Sequence, residues 1–524
     1  MVTLFIIAVA VTVLLTLHHT QQTSDNVNVT TSLGTVIGLH VLRDNIEYYS
    51  FRGIPYANAT TRFKAPVPIK HWTSVVMATD DGPQCAQPSR FGQPVEECLF
   101  LNVYTPQLPQ PGNVDQPKLP VMVFIHGGGF IIGSSNSLKY GPEFFMAEKT
   151  VILVSFNYRL GIFGFLSMGT QDAQGNAGMK DQVEALRFIK REISYFGGNP
   201  SSITIFGESA GSASVIHHVL SPMSKGLFHK AIAESGSALG DWAYTEASVA
   251  SEHATTVAKL LGCDTENATT IVNCLSKVSA SVLSLASLSS IATAQENIQD
   301  LLGFVPVIET KFDEEVFLVD YPQNVLNNLT EAVPLIIGTN KDDGMLLLTD
   351  DKGYAIVDRN LQYYAPRVVT KQATTDQLNA IAQQVRAYYF NNGQVNRTTL
   401  KGYVNLNTDH LFMYPTAQTV RKLIENKNVV YLYHFAYSGG YKLPKKVHIK
   451  LGYKGVGHGE ELGYLFYSVT FNNTYLNQTS TQDYQTMKRM VKLWTAFATT
   501  GVPDNRTDEV IENIHWPQII NASE

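Results

Sequence analysis

The sequence is poor in charged residues, and the charges that it has are not grouped. Only 16% of the 524 residues are Asp, Glu, Lys or Arg, the formal net charge is -6, and no tract of Lys and Arg stands out. A protein that binds nucleic acid does so mainly through positive charge that is clustered against the phosphates. We therefore expect no nucleic-acid partner.

The sequence also lacks an internal apolar run long enough to cross a bilayer, which takes about 20 residues. An apolar run covers residues 1–15, and we expect residues 1–20 to be a secretory signal peptide. No Lys or Arg precedes this run, so an uncleaved N-terminal anchor is the alternative. Many Asn-x-Ser/Thr sequons favour a secreted, glycosylated chain without a stable membrane span. They begin at Asn28, Asn58, Asn267, Asn328, Asn396, Asn472, Asn477, Asn505 and Asn521.

Cysteine is scarce, with only Cys85, Cys98, Cys263 and Cys274 in the whole chain. Four cysteines permit three pairings, and sequence reasoning alone does not choose between them. Two short-range bridges are the simplest pairing, and an oxidising compartment would permit them. Four buried free thiols are the alternative.

Linkers, low-complexity tracts and internal repeats are missing as well. Length alone would suggest about three domains, but no Pro/Gly/Ser-rich stretch or charge run divides the chain. We therefore expect residues 21–524 to form a single domain.

The most informative stretch that is present is residues 207–211, Gly-Glu-Ser-Ala-Gly. Ile203 and Ile205 before it indicate a buried strand, and apolar residues after it recur at helical spacing. A serine at such a strand-to-helix corner, with glycine two residues away on each side, is typical of a nucleophile elbow. Ser209 is therefore the candidate nucleophile. The amide of Ala210, at the helix N-terminus, is a candidate donor to an oxyanion.

A glycine-rich loop follows another buried strand. Residues 120–126, Pro-Val-Met-Val-Phe-Ile-His, precede Gly127, Gly128 and Gly129, and their apolar run is typical of a strand that is covered on both faces. Three glycines let the backbone approach a substrate and turn its N–H groups inward, as in the HGGG-type loop of esterases. We assign Gly128 and Gly129, together with Ala210, as the oxyanion hole. A plain glycine turn is the alternative.

The candidate general base is His458, which lies in a glycine-flanked loop after a strand that ends near Tyr437. In hydrolases with a nucleophile elbow, the acid comes between the serine and the histidine in chain order. It should follow the strand at 332–340, where Asp342 and Asp343 are both available. Chain order does not choose between these two.

Strands and helices alternate along the chain. This alternation predicts the α/β class, with a central, mostly parallel sheet that is covered by helices.

Five segments together resemble the type-B carboxylesterase/cholinesterase family. The resemblance extends from about residue 33 to about 517, and it implies the α/β-hydrolase fold with a deep active-site gorge. It also implies the bridges Cys85–Cys98 and Cys263–Cys274. The five segments cover residues 97–104, 126–130, 157–161, 176–182 and 206–211.

The resemblance also assigns roles near the nucleophile. It selects Asp343 as the catalytic acid, at a position where the family usually has Glu. Ser235 would hydrogen-bond near the triad, and Glu208 would face the gorge beside the nucleophile.

The resemblance further suggests the type of substrate. Cholinesterases stack a quaternary ammonium on a tryptophan, which in the family lies in the loop closed by the first disulfide. Here that loop has no tryptophan and carries Arg90, while Leu346 and Leu347 replace aromatics that usually follow the acid. Leu302 stands where bulky aromatics often narrow the acyl pocket, and Trp242 matches an aromatic of that pocket. We expect an apolar, aliphatic site that accepts neutral aliphatic or aryl esters.

We therefore expect a secreted, insect-type serine carboxylesterase that acts on small-molecule esters through an acyl-enzyme intermediate. This chemistry needs no metal and no organic cofactor. The alternative is a non-catalytic, cholinesterase-like adhesion protein, a kind that typically lacks a triad member and carries a membrane span. The oligomeric state does not follow from the sequence.

Overall fold

The computed structural model describes residues 23–88, 94–110, 116–263, 266–294, 297–310, 315–441, 453–468, 481–504, 508–511 and 514–521. The expected signal peptide at residues 1–20 lies outside these ranges. So do Arg90 and the sequons at Asn472, Asn477 and Asn505.

Thirteen strands form within the described residues. They are β1 (Thr23–Thr31), β2 (Gly34–Arg43), β3 (Ile46–Pro55), β4 (Ala57–Asn58), β5 (Val67–Pro68), β6 (Val76–Met77), β7 (Phe100–Thr105), β8 (Leu119–Ile125), β9 (Ile152–Phe156), β10 (Gly198–Glu208), β11 (Lys230–Glu234), β12 (Leu335–Asn340) and β13 (Val430–Phe435).

Eleven of these strands make one large sheet, in the order β1-β2-β3-β7-β9-β8-β10-β11-β12-β13, with β6 beside β2. The six strands from β9 to β13 along this order run parallel to their neighbours. β1, β2, β3 and β7 each run antiparallel to the next strand, and β7 runs antiparallel to β9, whereas the short β6 runs parallel to β2. The six parallel strands from β9 to β13 therefore end at one edge of the sheet, where loops from different parts of the chain meet.

The α-helices of the described chain cover the sheet and extend beyond it. They are α1 (Glu143–Glu148), α2 (Gly161–Phe165), α3 (Ala177–Glu192), α4 (Ala210–Leu220), α5 (Ala247–Leu260), α6 (Ala268–Leu275), α7 (Ala280–Ala286), α8 (Leu288–Ala294), α9 (Pro322–Asn327), α10 (Asp351–Arg359), α11 (Arg367–Thr370), α12 (Thr375–Phe390), α13 (Leu400–Thr408), α14 (Tyr414–Glu425) and α15 (Gln482–Thr500). A short 3₁₀ turn at Asp343–Leu347 follows β12, and a π-helical turn at Asp409–Met413 joins α13 to α14.

The core explains why the central strands are apolar throughout. Every residue of β9 is buried, and so are residues 121–125 of β8, because helices pack on both faces of the sheet. Val183, Leu186 and Ile189 of α3 are buried on the same face of their helix. The α/β class and the parallel central sheet that the sequence predicted are confirmed.

No helix within the described ranges is long and apolar enough to cross a membrane.

Candidate active site

The predicted nucleophile lies at the sharp turn between β10 and α4. Ser209 has a φ of 61°, in the left-handed region that non-glycine residues rarely adopt. A Cβ on Gly207 would lie 2.5 Å from the carbonyl oxygen of Ile125, and a Cβ on Gly211 would collide with the same oxygen. The flanking glycines are therefore required by the close approach of β8, and the turn that they permit leaves Ser209 only half-buried.

The glycine-rich loop lies beside this turn, because β8 and β10 are parallel neighbours with Ile125 opposite Gly207. A Cβ on Gly127 would lie 3.0 Å from Ser209 Cβ. Gly128 and Gly129 have φ values of 116° and 63°, which a residue with a side chain would adopt only under strain. No acceptor within the described chain takes a hydrogen bond from the N–H of Gly128, Gly129 or Ala210. These three amides are thus available to an anionic oxygen.

His458 and Asp343 are hydrogen-bonded to each other. The distance from His458 Nδ1 to Asp343 Oδ1 is 2.9 Å, and both side chains are buried. The other carboxylate oxygen of Asp343 accepts from Ser235 Oγ at 2.9 Å and from the backbone N–H of Asn340 at 2.8 Å. Two donors therefore hold the carboxylate of Asp343 in position against the imidazole.

The neighbouring carboxylate of Asp342 binds the backbone of the loop that carries His458. Its Oδ2 accepts the backbone N–H of Val456 at 2.9 Å, and its backbone N–H donates to the carbonyl of the same residue. The Oδ1 of Asp342 accepts from the hydroxyl of Tyr453 at 3.5 Å. Asp342 thus holds the loop that carries His458, whereas Asp343 contacts the imidazole itself.

A third carboxylate faces the imidazole from the side of the nucleophile. Glu208 Oε1 lies 3.1 Å from His458 Nε2, and the Glu208 side chain is buried. Burial by itself lowers the pKa of His458, but the carboxylates of Glu208 and Asp343 outweigh it and raise that pKa above the ordinary 6.5. The imidazole is thus prepared to hold a proton between two negative groups.

Two further carboxyl groups are buried behind this centre. Glu461 accepts a short hydrogen bond from Asn340 Nδ2, which also donates to the carbonyl of Gly457 at 2.9 Å. Glu234 accepts from Trp494 Nε1 at 2.6 Å. Burial, reinforced by the neighbouring carboxylates, raises the pKa of both Glu461 and Glu234 above the ordinary 4.5.

The residues expected to contact substrate differ in their burial and in their neighbours. Leu302 packs against the glycine-rich loop, since its Cδ2 would lie 3.5 Å from a Cβ on Gly129. Trp242 is buried, and its Nε1 donates to the carbonyl of Leu411 at 2.9 Å. Leu347 is half-buried, whereas Leu346 is 50% exposed at the outer side of the same turn.

Some contacts of the site were missed by sequence reasoning. The ring centroid of Phe412 lies 4.5 Å from that of the His458 imidazole and 6.2 Å from that of the Trp242 indole. Phe412 belongs to the π-helical turn, which has no sequence signature that we could have used. Asn340 lies three residues before the predicted acid, and Glu461 lies three residues after the predicted base. Sequence reasoning could have found them as polar residues beside segments that were expected to be buried.

The cysteines form the two bridges that the resemblance implied. Cys85 is bonded to Cys98, and Cys263 to Cys274. The prediction of short-range pairing is confirmed.

Comparison with known proteins agrees with this geometry. Residues 25–524 match the model of the carboxylesterase family. The chain is 35% identical over 480 residues to esterase FE4 of Myzus persicae, which covers 88% of this chain and 82% of that protein. It is 34% identical over 519 residues to a juvenile hormone esterase of Tribolium castaneum, which covers 93% and 84% respectively.

A solved structure is also similar. The crystal structure of juvenile hormone esterase from Manduca sexta, with OTFP covalently attached, superimposes with a TM-score of 0.81 at 30% sequence identity. The match covers 94% of this chain and 93% of that one.

Proposed function

The chain belongs to the carboxylesterase family, and we propose that it hydrolyses uncharged carboxylic esters through an acyl-enzyme formed on Ser209. It is a carboxylic ester hydrolase whose substrates are small-molecule esters, as its esterase relatives indicate. The non-catalytic, adhesion-type alternative is not favoured by these relatives.

In the acylation step, His458 Nε2 takes the proton of Ser209 as the serine oxygen attacks the ester carbonyl. The amides of Gly128, Gly129 and Ala210 stabilise the negative charge on the carbonyl oxygen. When the tetrahedral intermediate collapses, the imidazolium gives its proton to the leaving alcohol. Asp343 keeps the imidazole in the required tautomer and stabilises its positive charge.

In the deacylation step, a water molecule takes the place of the alcohol. His458 removes a proton from this water, which attacks the acyl carbonyl, and the proton then returns to Ser209. The carboxylic acid leaves, and the enzyme is regenerated without any metal or organic cofactor.

The surroundings of this centre favour neutral esters. Leu302, Leu346 and Leu347 present aliphatic side chains, while Trp242 is engaged with a backbone carbonyl at its Nε1. Together with Glu208 they are the proposed substrate-binding groups of the gorge, with Leu346, which is 50% exposed, at its outer side. We further propose that residues 1–20 direct secretion and that residues 21–524 form the single catalytic domain.

The observation that supports the roles best is the 2.9 Å contact of His458 Nδ1 with Asp343. The other ring nitrogen, Nε2, lies 3.1 Å from Glu208, the residue immediately before Ser209. The test is labelling with a fluorophosphonate probe, followed by peptide mass spectrometry. Wild-type protein should be labelled at Ser209, and Ser209→Ala should lose both labelling and nearly all ester turnover. Ser212→Ala is the matched control. Ser212 is buried in α4, three residues after Ser209, and its Oγ donates to the backbone carbonyl of Gly236. Substantial turnover in Ser209→Ala would refute the proposal.

A further inference from the structure

A cavity of about 400 Å³ lies outside the candidate active site, and its volume is typical of a small-ligand site. Its walls come from α9, from α14, from α11 with the residues on either side of it, and from the segment 239–246. None of the described residues that line it belongs to the set that we assign to catalysis or to substrate binding. The cavity is therefore a separate feature of the molecule, to which the esterase reaction gives no role.

Three tyrosines line this cavity, and two of them are open to solvent. Tyr414 is 47% exposed at the start of α14, and Tyr321 is 39% exposed just before α9. The third, Tyr244, has its ring at 89° to that of Tyr321, with the centroids 6.3 Å apart. Val368, which also lines the cavity, is 68% exposed. Because aromatic and aliphatic surface gains free energy when it leaves water, these side chains favour an occupant that packs against them.

The charged groups of the wall are paired with one another. Asp241 Oδ2 accepts from the backbone N–H of Arg367 at 2.9 Å, and Lys371 forms an ion pair with Glu246. Two acidic and two basic side chains therefore leave the described wall without a net formal charge. Gln418 adds an amide, which both donates and accepts hydrogen bonds. An uncharged occupant that carries hydroxyl groups fits this wall.

A glycosylation sequon lies one helical turn from the cavity. Asn328, Leu329 and Thr330 form the sequon, and Asn328 and Thr330 are exposed. Asn324 lines the cavity, and positions i and i+4 of a helix share one face, about 6 Å apart along the axis. Asn328 Nδ2 donates to the carbonyl of Asn324 at 3.0 Å. The atom that carries an N-linked sugar is thus held against a residue of the cavity wall.

We propose that a glycan attached to Asn328 docks in this cavity and packs its first sugars against Tyr321 and Tyr414. In the attachment step, Asn328 Nδ2 displaces the diphosphate from the anomeric carbon of a lipid-diphosphate oligosaccharide. A C–N bond forms, the C–O bond breaks and leaves its electron pair on the diphosphate, and the nitrogen loses one of its two protons. The remaining N–H still donates to the carbonyl of Asn324. The inference goes beyond the esterase activity and rests on the proposed secretion, since such sugar donors are met in the secretory pathway.

An N-acetylglucosamine ring fits the chemistry of this wall. Its C–H groups form an apolar face that packs on aromatic rings, whereas its hydroxyl and acetamide groups exchange hydrogen bonds with amides and carboxylates. The ring carries no charge, which matches the balanced charges of the wall. A sugar that is tethered one helical turn away also has a high effective concentration at the cavity, so weak contacts suffice to hold it. The chain's own glycan is therefore favoured over a free saccharide.

The test measures how fast an endoglycosidase releases the glycan from the native protein. The chain is secreted from cultured eukaryotic cells, and glycopeptide mass spectrometry follows release at Asn328 and at Asn28, with denatured protein as the reference. Asn28 is an exposed sequon position on β1, a strand that contributes no described residue to the cavity. The endoglycosidase cleaves between the first two sugars, so release follows the undocked fraction. A glycan docked about nine-tenths of the time is released about tenfold more slowly from native than from denatured protein, and we expect no such protection at Asn28.

A variant of the cavity wall provides the specific test. Tyr414→Ala should bring release at Asn328 to within about twofold of release at Asn28, because the docked fraction falls. Tyr388→Ala is the matched control and should keep the protection, since Tyr388 is a 78% exposed tyrosine of α12 that does not line the cavity. Tyr321→Ala repeats the test from the side of α9 if Tyr414→Ala does not fold.

Three results would overturn the inference: an unglycosylated Asn328, equal release at Asn328 and Asn28 in the wild type, and protection that persists in Tyr414→Ala. The last would show that another part of the protein shields the glycan. None of these results bears on the esterase assignment, because turnover of nitrophenyl acetate should be the same in the wild type and in each variant. A wild type that does not hydrolyse this ester would instead refute the proposed function and leave the protection of the glycan measurable.

Discussion

Replacing Asp343 with asparagine tests the catalytic assignment most sharply, because the structure indicates how the amide would be oriented. One carboxylate oxygen of Asp343 receives two donors, the hydroxyl of Ser235 and the backbone N–H of Asn340. The backbone N–H cannot rotate away, so the amide oxygen of an asparagine would have to occupy this position. The NH₂ group of the asparagine would then face His458 Nδ1, which in the wild-type protein lies 2.9 Å from Asp343 Oδ1.

That orientation forces the wrong tautomer on the imidazole. Nδ1 must accept from the amide, the ring proton moves to Nε2, and Nε2 can no longer take the proton of Ser209. We therefore expect Asp343→Asn to lower kcat by up to about 10⁴-fold, as in other triads with this change. This corresponds to about 5 kcal/mol of transition-state stabilisation. The substitution is nearly isosteric, so the fold should be preserved.

The assay is kcat for nitrophenyl acetate at a pH where the wild type is fully active, with thermal unfolding as the check on folding. Asp342→Asn is the matched control. An asparagine oxygen there can still accept the N–H of Val456, and we expect kcat to fall by less than about tenfold because the imidazole keeps its tautomer. A large loss in Asp342→Asn combined with a small loss in Asp343→Asn would refute the reasoning and move the acid to Asp342.

Three further predictions follow from the structure. Because Glu208 and Asp343 raise the pKa of His458 above 6.5, kcat/KM should fall as the pH drops through a value above 6.5. In Glu208→Gln this acid limb should move to lower pH, and an unmoved limb would contradict the contact at 3.1 Å. A neutral butyrate ester should have a higher kcat/KM than butyrylcholine, and the reverse preference would show that the site binds a cation. Replacing Cys263 and Cys274 with alanine opens a loop that joins residues 11 apart, so the free energy of unfolding from denaturant titration should fall by about 3 kcal/mol, and an unchanged value would contradict this.

Much of the fold could be predicted because the signals were local. The apolar runs of β8 and β9 follow from burial on both faces, and the glycines around Ser209 follow from the close approach of neighbouring strands. The first strand, β1, was missed, since residues 23–31 are rich in polar residues and pair with β2 only at the outer edge of the sheet. Its register depends on a hairpin partner rather than on its own hydrophobicity.

The substrate side of the site was harder to predict, because it depends on contacts between distant segments. Leu346 and Leu347 are adjacent in sequence, yet one is 50% exposed and the other half-buried, since the 3₁₀ turn directs them differently. Phe412 reaches His458 only because a π-helical turn separates α13 from α14. A helix with ordinary spacing would have presented another residue at that point.

The charge of the site is likewise a property of the fold rather than of the residue types. The buried carboxyl groups of Glu208, Asp343 and Glu461 act on the imidazole of His458, and the buried Glu234 interacts in turn with Glu461 and Glu208. Asp343 is held by two donors as well as by His458. Glu234 and Glu461 have raised pKa values because their burial and their carboxylate neighbours disfavour the charged form. The two carboxylates that face His458, those of Asp343 at 2.9 Å and Glu208 at 3.1 Å, raise the pKa of the imidazole, so the fold favours a positive charge on the proposed base.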